Sequence, residues 1–195
     1  LALQPPAQAA TALIATEIRP EARGDAPAID DVLGAAFAGV PHSDQSEART
    51  VRALRRDGAL TLSLLAVRAG ACVGYVAASP VRLSGSPGRW FGLGPLAVDP
   101  RWQRQGVGQA LVQAALAALR AQGAAGAVLL GDPAYYARFG FAASPDLGLP
   151  GLPAAYADHV QALAFGDQAA RGALRYPTAF GLAPEASFAP GDVLG

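Results

Sequence analysis

Residues 93–98, Leu-Gly-Pro-Leu-Ala-Val, form an apolar stretch that ends in a turn at Asp99-Pro100. The chain then runs into Gln103-Arg104-Gln105-Gly106-Val107-Gly108-Gln109-Ala110 and an Ala/Leu-rich amphipathic segment. This order predicts a strand, a glycine-rich turn and a helix start. The first N–H groups of a helix have no internal partner. The helix dipole adds partial positive charge at the same end. Glycine lets the backbone approach an anion without a Cβ in the way. Arg101 and Arg104 add formal charge beside the turn. The segment therefore predicts a phosphate-binding turn between a strand and a helix, which restricts the fold to layered α/β arrangements.

Three glycine-rich phosphate loops compete for this turn. A Walker loop requires a lysine, and the chain contains none. A dinucleotide fingerprint requires a third small residue, but counting from Gly106 that position is Leu111. The pattern Q/R-x-x-G-x-G/A is satisfied by Gln103, Gly106 and Gly108. The helix is expected over residues 106–122, with Gly123 as its stop. Residues 127–130, Ala-Val-Leu-Leu, read as a buried strand. Gly131-Asp132-Pro133-Ala134-Tyr135-Tyr136-Ala137-Arg138-Phe139-Gly140-Phe141 follows. Here a short helix carries Tyr136 four residues before a Gly-Phe pair.

The two segments, in this order and at this separation, resemble the paired signatures of the GNAT superfamily of acyl-CoA-dependent N-acetyltransferases. Their wording is similar to one bacterial branch of it. The strong resemblance covers residues 93–141. A weaker one extends over residues 17–83 and through Tyr176-Pro177-Thr178-Ala179-Phe180. The resemblance implies a GNAT α/β fold: a mixed central sheet with helices on both faces. It implies acetyl-CoA as acyl donor and a primary amine, on a small molecule or a peptide, as acceptor. Backbone N–H groups from Gln105 through Gly106, Val107, Gly108 and Gln109 to Ala110, with Arg104 beside them, would hold the pyrophosphate. Leu96, Ala97 and Val98 would offer free backbone groups to the pantetheine arm, because in the family this strand splays from its neighbour. One of these N–H groups could polarise the thioester carbonyl.

Tyr136 is the expected general acid. A phenol has a reference pKa of about 10, so it stays protonated at neutral pH and can donate to a leaving thiolate. Tyr135 is assigned to packing or to lining the substrate pocket. No general base is evident. Many family members carry a glutamate on the strand before the loop, but here those positions are Leu93, Pro95 and Ala97. The candidates are His42, Asp44, Glu47 and Asp99, each also readable as a cap or a solvated side chain. His159 is expected only to end a loop. Cys72, among Ala71, Val73 and Tyr75, reads as a small buried hydrophobe. Asp132-Pro133 reads as a helix-opening turn, and no metal site is expected. The missing carboxylate leaves a non-catalytic acyl-CoA sensor as a second reading, and a nucleotide-binding α/β protein as a third.

Composition sets the remaining bounds. The 195 residues suit one domain with a substantial core, taken as residues 13–195 behind a loosely held leader at 1–12. Fifteen basic residues balance fifteen acidic ones, so neither a nucleic acid nor a membrane surface is expected as main partner. One cysteine excludes an intrachain disulfide. No apolar run has the length of a membrane span, and the leader lacks the basic-then-apolar order of a signal peptide. The expected setting is the cytoplasm. Family members often dimerise through late strands, which makes a homodimer an expectation here too.

Along the chain, a first strand is predicted over residues 13–19. A helix opens at Asp25, the expected N-cap. A second helix runs from Ser43 to Asp57-Gly58. A hairpin is built from residues 62–68 and 71–79, and a loop spans 83–88. After the signatures, residues 144–153 read as loop. Late strands are expected at 160–165 and 173–176, and the last fifteen residues as an extended tail. The acceptor pocket is assigned to residues 25–57 and the late strands.

Overall fold

The structure is a computed structural model in which residues 15–41 and 43–189 are described. The leader at 1–12, the first two positions of the predicted strand at 13–19, His42 and residues 190–195 lie outside this range. The first strand, β1 (Glu17–Pro20), is followed by α1 (Ala26–Phe37), α2 (Glu47–Arg56), β2 (Leu62–Arg68), β3 (Ala71–Leu83) and β4 (Trp90–Val98). Then come α3 (Val107–Ala121), β5 (Gly126–Leu130), α4 (Pro133–Tyr136), β6 (Ala142–Ala143), β7 (Leu147–Gly148), β8 (Val160–Ala164), β9 (Gly172–Pro177) and β10 (Ser187–Phe188). The sheet is mixed. Strands β1 to β4 pair antiparallel in sequence order, β4 pairs β5 parallel, and β5 pairs β8 antiparallel. Beyond β2, β3 takes β9 as its neighbour.

Alternation along the strands builds two cores. Leu64, Ala66, Val76, Ala78, Phe91 and Leu93 meet the apolar stripe of α3, which presents Val107, Leu111, Ala115 and Leu119. Leu65, Tyr75, Ala77 and Ala97 meet Ile29, Val32, Leu33 and Val51 of α1 and α2 on the other face. Helices thus cover both faces, as expected. A third cluster, with Val81, Trp90, Val128, Leu174 and Tyr176, joins the late strands to the sheet.

Several local readings are corrected. Asp25 holds the N-cap position of α1 as expected, but its side chain makes no capping hydrogen bond. Its carboxylate turns back to the Arg19 guanidinium at 2.6 and 3.0 Å and accepts the Ala22 N–H at 2.7 Å. The Arg19 contact, foremost, holds Asp25 down at a pKa of about 2. Helix α2 starts at Glu47 rather than Ser43, because Gln45 sits at φ 58 and no helix passes through that conformation. Strand β3 continues through Pro80 to Leu83 instead of ending at Ser79. Pro80 is tolerated because its N–H would fall between two partners: pairing with β2 ends at Ala78, and pairing with β9 starts at Arg82. The stretch at 144–153 contains the short β7. The described part of the tail forms a turn at Pro184–Ala186 and then β10, parallel to β9.

Two features of β4 shape the site. Val76 pairs with Leu96 and Ala78 with Leu93, so β4 carries one extra residue around Gly94-Pro95. This bulge changes which side chains face α3: Phe91 and Leu93 before it, Leu96 and Val98 after it. Pairing of β4 with β5 then stops at Gly92–Val128. Residues 93–98 run on without a β5 partner.

Candidate active site

The end of β4, unpaired on its β5 side, leads straight to the glycine-rich turn. Asp99 closes the strand: its carboxylate accepts the Arg101 N–H at 2.9 Å and pairs with the Arg101 guanidinium at 2.6 Å. The Gln103 side-chain amide donates to the Val98 carbonyl at 3.1 Å. Gln103 is therefore a tie between loop and strand. Gln105 is held by Arg68, whose guanidinium donates to its side-chain oxygen at 2.9 Å. Arg104 and Gly106 take φ values of 59° and 83°. The second of these opens α3 in the left-handed region, where a side chain is strained.

The first helical hydrogen bond of α3 runs from Ala110 N–H to the Gly106 carbonyl at 3.0 Å. The amides of Val107, Gly108 and Gln109 thus have no backbone acceptor. The Ala110 amide is already committed to the helix, which removes it from the donor set expected from the sequence. Arg101 is likewise neutralised by Asp99, whereas Arg104 has no ion-pair partner among the described residues. A donor cluster with a glycine cradle and one free cation suits a pyrophosphate.

Across the opening, Asp132 caps α4 by accepting the Ala134 N–H at 2.9 Å. Helix α4 presents Tyr135 and Tyr136 as an edge-to-face pair, 4.9 Å between ring centres. Tyr136 packs against Phe141 at 5.9 Å and borders the same core as Leu96 and Val98. Gly131 makes room for its ring: a Cβ there would lie 2.4 Å from the Tyr136 ring. The Gln161 amide, buried on β8, pins the Gly131 carbonyl at 2.8 Å. Burial, with a smaller contribution from Tyr135, pushes the Tyr136 phenol well above its ordinary value. Its hydroxyl has no hydrogen-bond partner among the described residues. Tyr135 points the other way. A Cβ on Gly108 would meet its hydroxyl at 2.8 Å, so Tyr135 reaches from α4 to the first turn of α3. At the end of β5, Leu130 is 52 % exposed and adds an apolar wall.

Three of the four base candidates are held by other partners. Asp99 is held below the ordinary carboxylate range by Arg101. Asp44 is lowered by its hydrogen bonds to Ser46, and Glu47 accepts from the Ser43 hydroxyl at 2.6 Å. His42 lies outside the described residues. Asp44, Arg49 and Thr50 line a groove of about 760 Å³ that is closed by Thr178 and Phe180 after β9. This groove joins α2 to the late part of the chain. Cys72 is half-buried, and burial raises its thiol. No cluster of metal-ligating side chains occurs among the described residues, and no described helix is long and apolar enough to cross a membrane.

Sequence reasoning missed Gly131, Gln161 and the reach of Tyr135. Each acts through a neighbour distant in sequence, and no local pattern announces them.

Comparisons with known proteins agree with this geometry. The uncharacterized N-acetyltransferase YhbS of Escherichia coli K12 is 44 % identical over 147 residues, covering 73 % of this chain and 85 % of YhbS. A GNAT family acetyltransferase from Brucella melitensis, solved in complex with acetyl-CoA, superposes with a TM-score of 0.75 at 42 % identity, over 86 % of this chain and 99 % of that one. The E. coli YhbS structure in complex with CoA gives a TM-score of 0.75 at 38 % identity, over 86 % and 92 % of the two chains. The model of the acetyltransferase (GNAT) family matches residues 27–141. With the mixed sheet, the opening beside β4 and the turn at the start of α3, these matches make the chain an acyltransferase of the GNAT acetyltransferase family.

Proposed function

We propose that this protein moves an acetyl group from acetyl-CoA to a primary amine by direct attack within a ternary complex. The observation that carries this reading is the end of β4–β5 pairing at Gly92, directly before a helix start with free amides. The amides of residues 105–109 and the Arg104 guanidinium hold the pyrophosphate. Leu96 and Val98 turn their N–H groups away from β3 and offer them to the amide-bearing arm, and one of these polarises the thioester carbonyl, whereas Ala97 stands opposite Tyr75 in the β3 ladder. The acceptor enters from the side of α1 and α2, through the groove between Arg49 and Phe180. Its nitrogen bonds to the carbonyl carbon as the C–S bond breaks. Tyr136 gives its phenolic proton to the departing sulfur and regains one from solvent. No carboxylate stands on β4, so the amine proton leaves to water.

The donor site is tested by thermal unfolding. At acetyl-CoA a hundredfold above its Kd, a ligand that binds only the folded chain adds about 2.7 kcal/mol. For a chain of this size, that raises Tm by roughly 5–10 °C. Gly106→Val puts a β-branched residue at φ 83°, and it should weaken acetyl-CoA binding by about tenfold or more. An acetyl-CoA shift that survives this change undiminished removes the loop from the site.

A further inference from the structure

A cleft of about 840 Å³ lies at the far end of β4 from the glycine-rich turn. At ~3.3 Å per residue, the length of the strand puts the two on the order of 25 Å apart. Three of its lining residues are arginines, and among the described residues no aspartate or glutamate lines it. Their arrangement follows from strand register. Arg82 and Arg175 are directly opposed in the antiparallel pairing of β3 with β9. Val81 opposes Trp90 at the last pair of β3 with β4, and Arg89 directly precedes Trp90 on the rim of the cleft. Opposed residues project from the same face of a sheet. Arg82 and Arg175 therefore share one face, and Arg89, just before β4, lines the same cleft, so the three form a row along it.

Such a row weakens the sheet unless it has a purpose, because like charges directly opposed are destabilising. None of the three arginines has an ion-pair partner among the described residues. The chain has as many acidic as basic residues, yet among the described residues none lines this cleft. Aromatic rings hold the guanidiniums apart: Arg82 lies over Phe188 at 4.8 Å, and Arg89 over Phe91 at 5.3 Å. Arg89 also donates to the Gln122 carbonyl at 3.2 Å. Ser84, on the rim, accepts the Ala173 N–H at 2.8 Å and keeps its own proton to donate. With strands ~4.8 Å apart, the row spans about 10 Å, too broad for one small anion to bridge.

We propose that Arg82, Arg89 and Arg175 form a second anion site, one for a ligand that carries several linked phosphates. The site is independent of the donor site and of the acetyl transfer proposed above.

The test is calorimetric titration of inorganic tripolyphosphate into the full chain. A site besides the glycine-rich turn is expected, with orthophosphate binding far more weakly. Arg82→Gln or Arg175→Gln should weaken it by about tenfold or more, the scale of losing a charge-assisted contact. Gly106→Val, which disables the proposed pyrophosphate loop, should leave it unchanged. Because it relieves an opposed like-charge pair, Arg175→Gln should also unfold at a Tm no lower than that of the parent at low salt. ATP binding at least as tightly as tripolyphosphate would identify a nucleoside triphosphate as the source, and weaker ATP binding an inorganic polyanion; either result sustains the site. Absence of binding, or binding lost in Gly106→Val but kept in both arginine variants, overturns it. Tighter binding of single-stranded RNA through the same arginines would replace it with a nucleic-acid site.

Discussion

Replacing Tyr136 with phenylalanine lowers kcat by about a hundredfold or more, the range for loss of a positioned general acid, and leaves acetyl-CoA affinity unchanged. The fold should tolerate the change. The phenol makes no hydrogen bond to the described protein, and the ring keeps its contacts with Tyr135 and Phe141. The pH profile carries the same information. Burial raises the phenol pKa, so the donor stays protonated beyond the ordinary range of tyrosine. With no carboxylate base on β4, kcat/KM should rise with pH as the amine acceptor loses its proton. It should show no fall from loss of the acid below about pH 10. Steady-state kinetics from pH 6 to 10, with a CoA titration beside them, read both quantities. Unchanged turnover in the phenylalanine variant removes Tyr136 from the chemistry.

Gly126→Val is the substitution expected to cost the most stability, about 3 kcal/mol or more. Gly126 sits opposite Trp90 where β4 and β5 pair. A Cβ there would lie 2.3 Å from the Trp90 ring and 2.6 Å from the Leu163 carbonyl. Trp90 is 1 % exposed and cannot swing aside, and the carbonyl belongs to the ladder with β8. Overpacking of a core ordinarily costs 1–3 kcal/mol, and here backbone must move as well. Denaturant unfolding of the variant reads the loss directly. A midpoint equal to that of the parent would mean that the β4–β5 junction is looser than its packing implies.

The legible parts of this chain are those whose cause is local. Gly106 and Gly108 mark the start of α3. Gly123, at φ 72°, marks its end as expected. The apolar run at 127–130 and the aromatic segment after it gave β5 and α4. The paired signatures then carried the fold, because strand, loop, helix and strand already fix the middle of the sheet. The illegible parts depend on partners far along the chain. The register that puts an extra residue at Gly94-Pro95 is set by β3. Asp25 offered a capping pattern, but Arg19 competed for its carboxylate and won. Pro80 looked like a strand end, and only the handover from β2 to β9 explains why it is not. Tyr135 could not be placed at Gly108 before the gap between β4 and β5 was known. The groove proposed for the acceptor draws on α2 and on residues after β9, the segments whose sequence pattern is weakest.

The three residue pairs between β4 and β5 also bear on how the molecule breathes. Among the described residues, β5, β8 and β6 join the rest of the strand ladder through these pairs alone. Sub-global opening is drawn from weakly tied regions, and this seam is where it is expected. A pantetheine arm lying along residues 96–98 would act as a borrowed strand and lock the two sides of the seam together. Amide hydrogen exchange at 93–98 and 129–130 should therefore slow together when CoA is added, while exchange in β2 and β3 stays as it was. Substrate, on this view, completes the sheet.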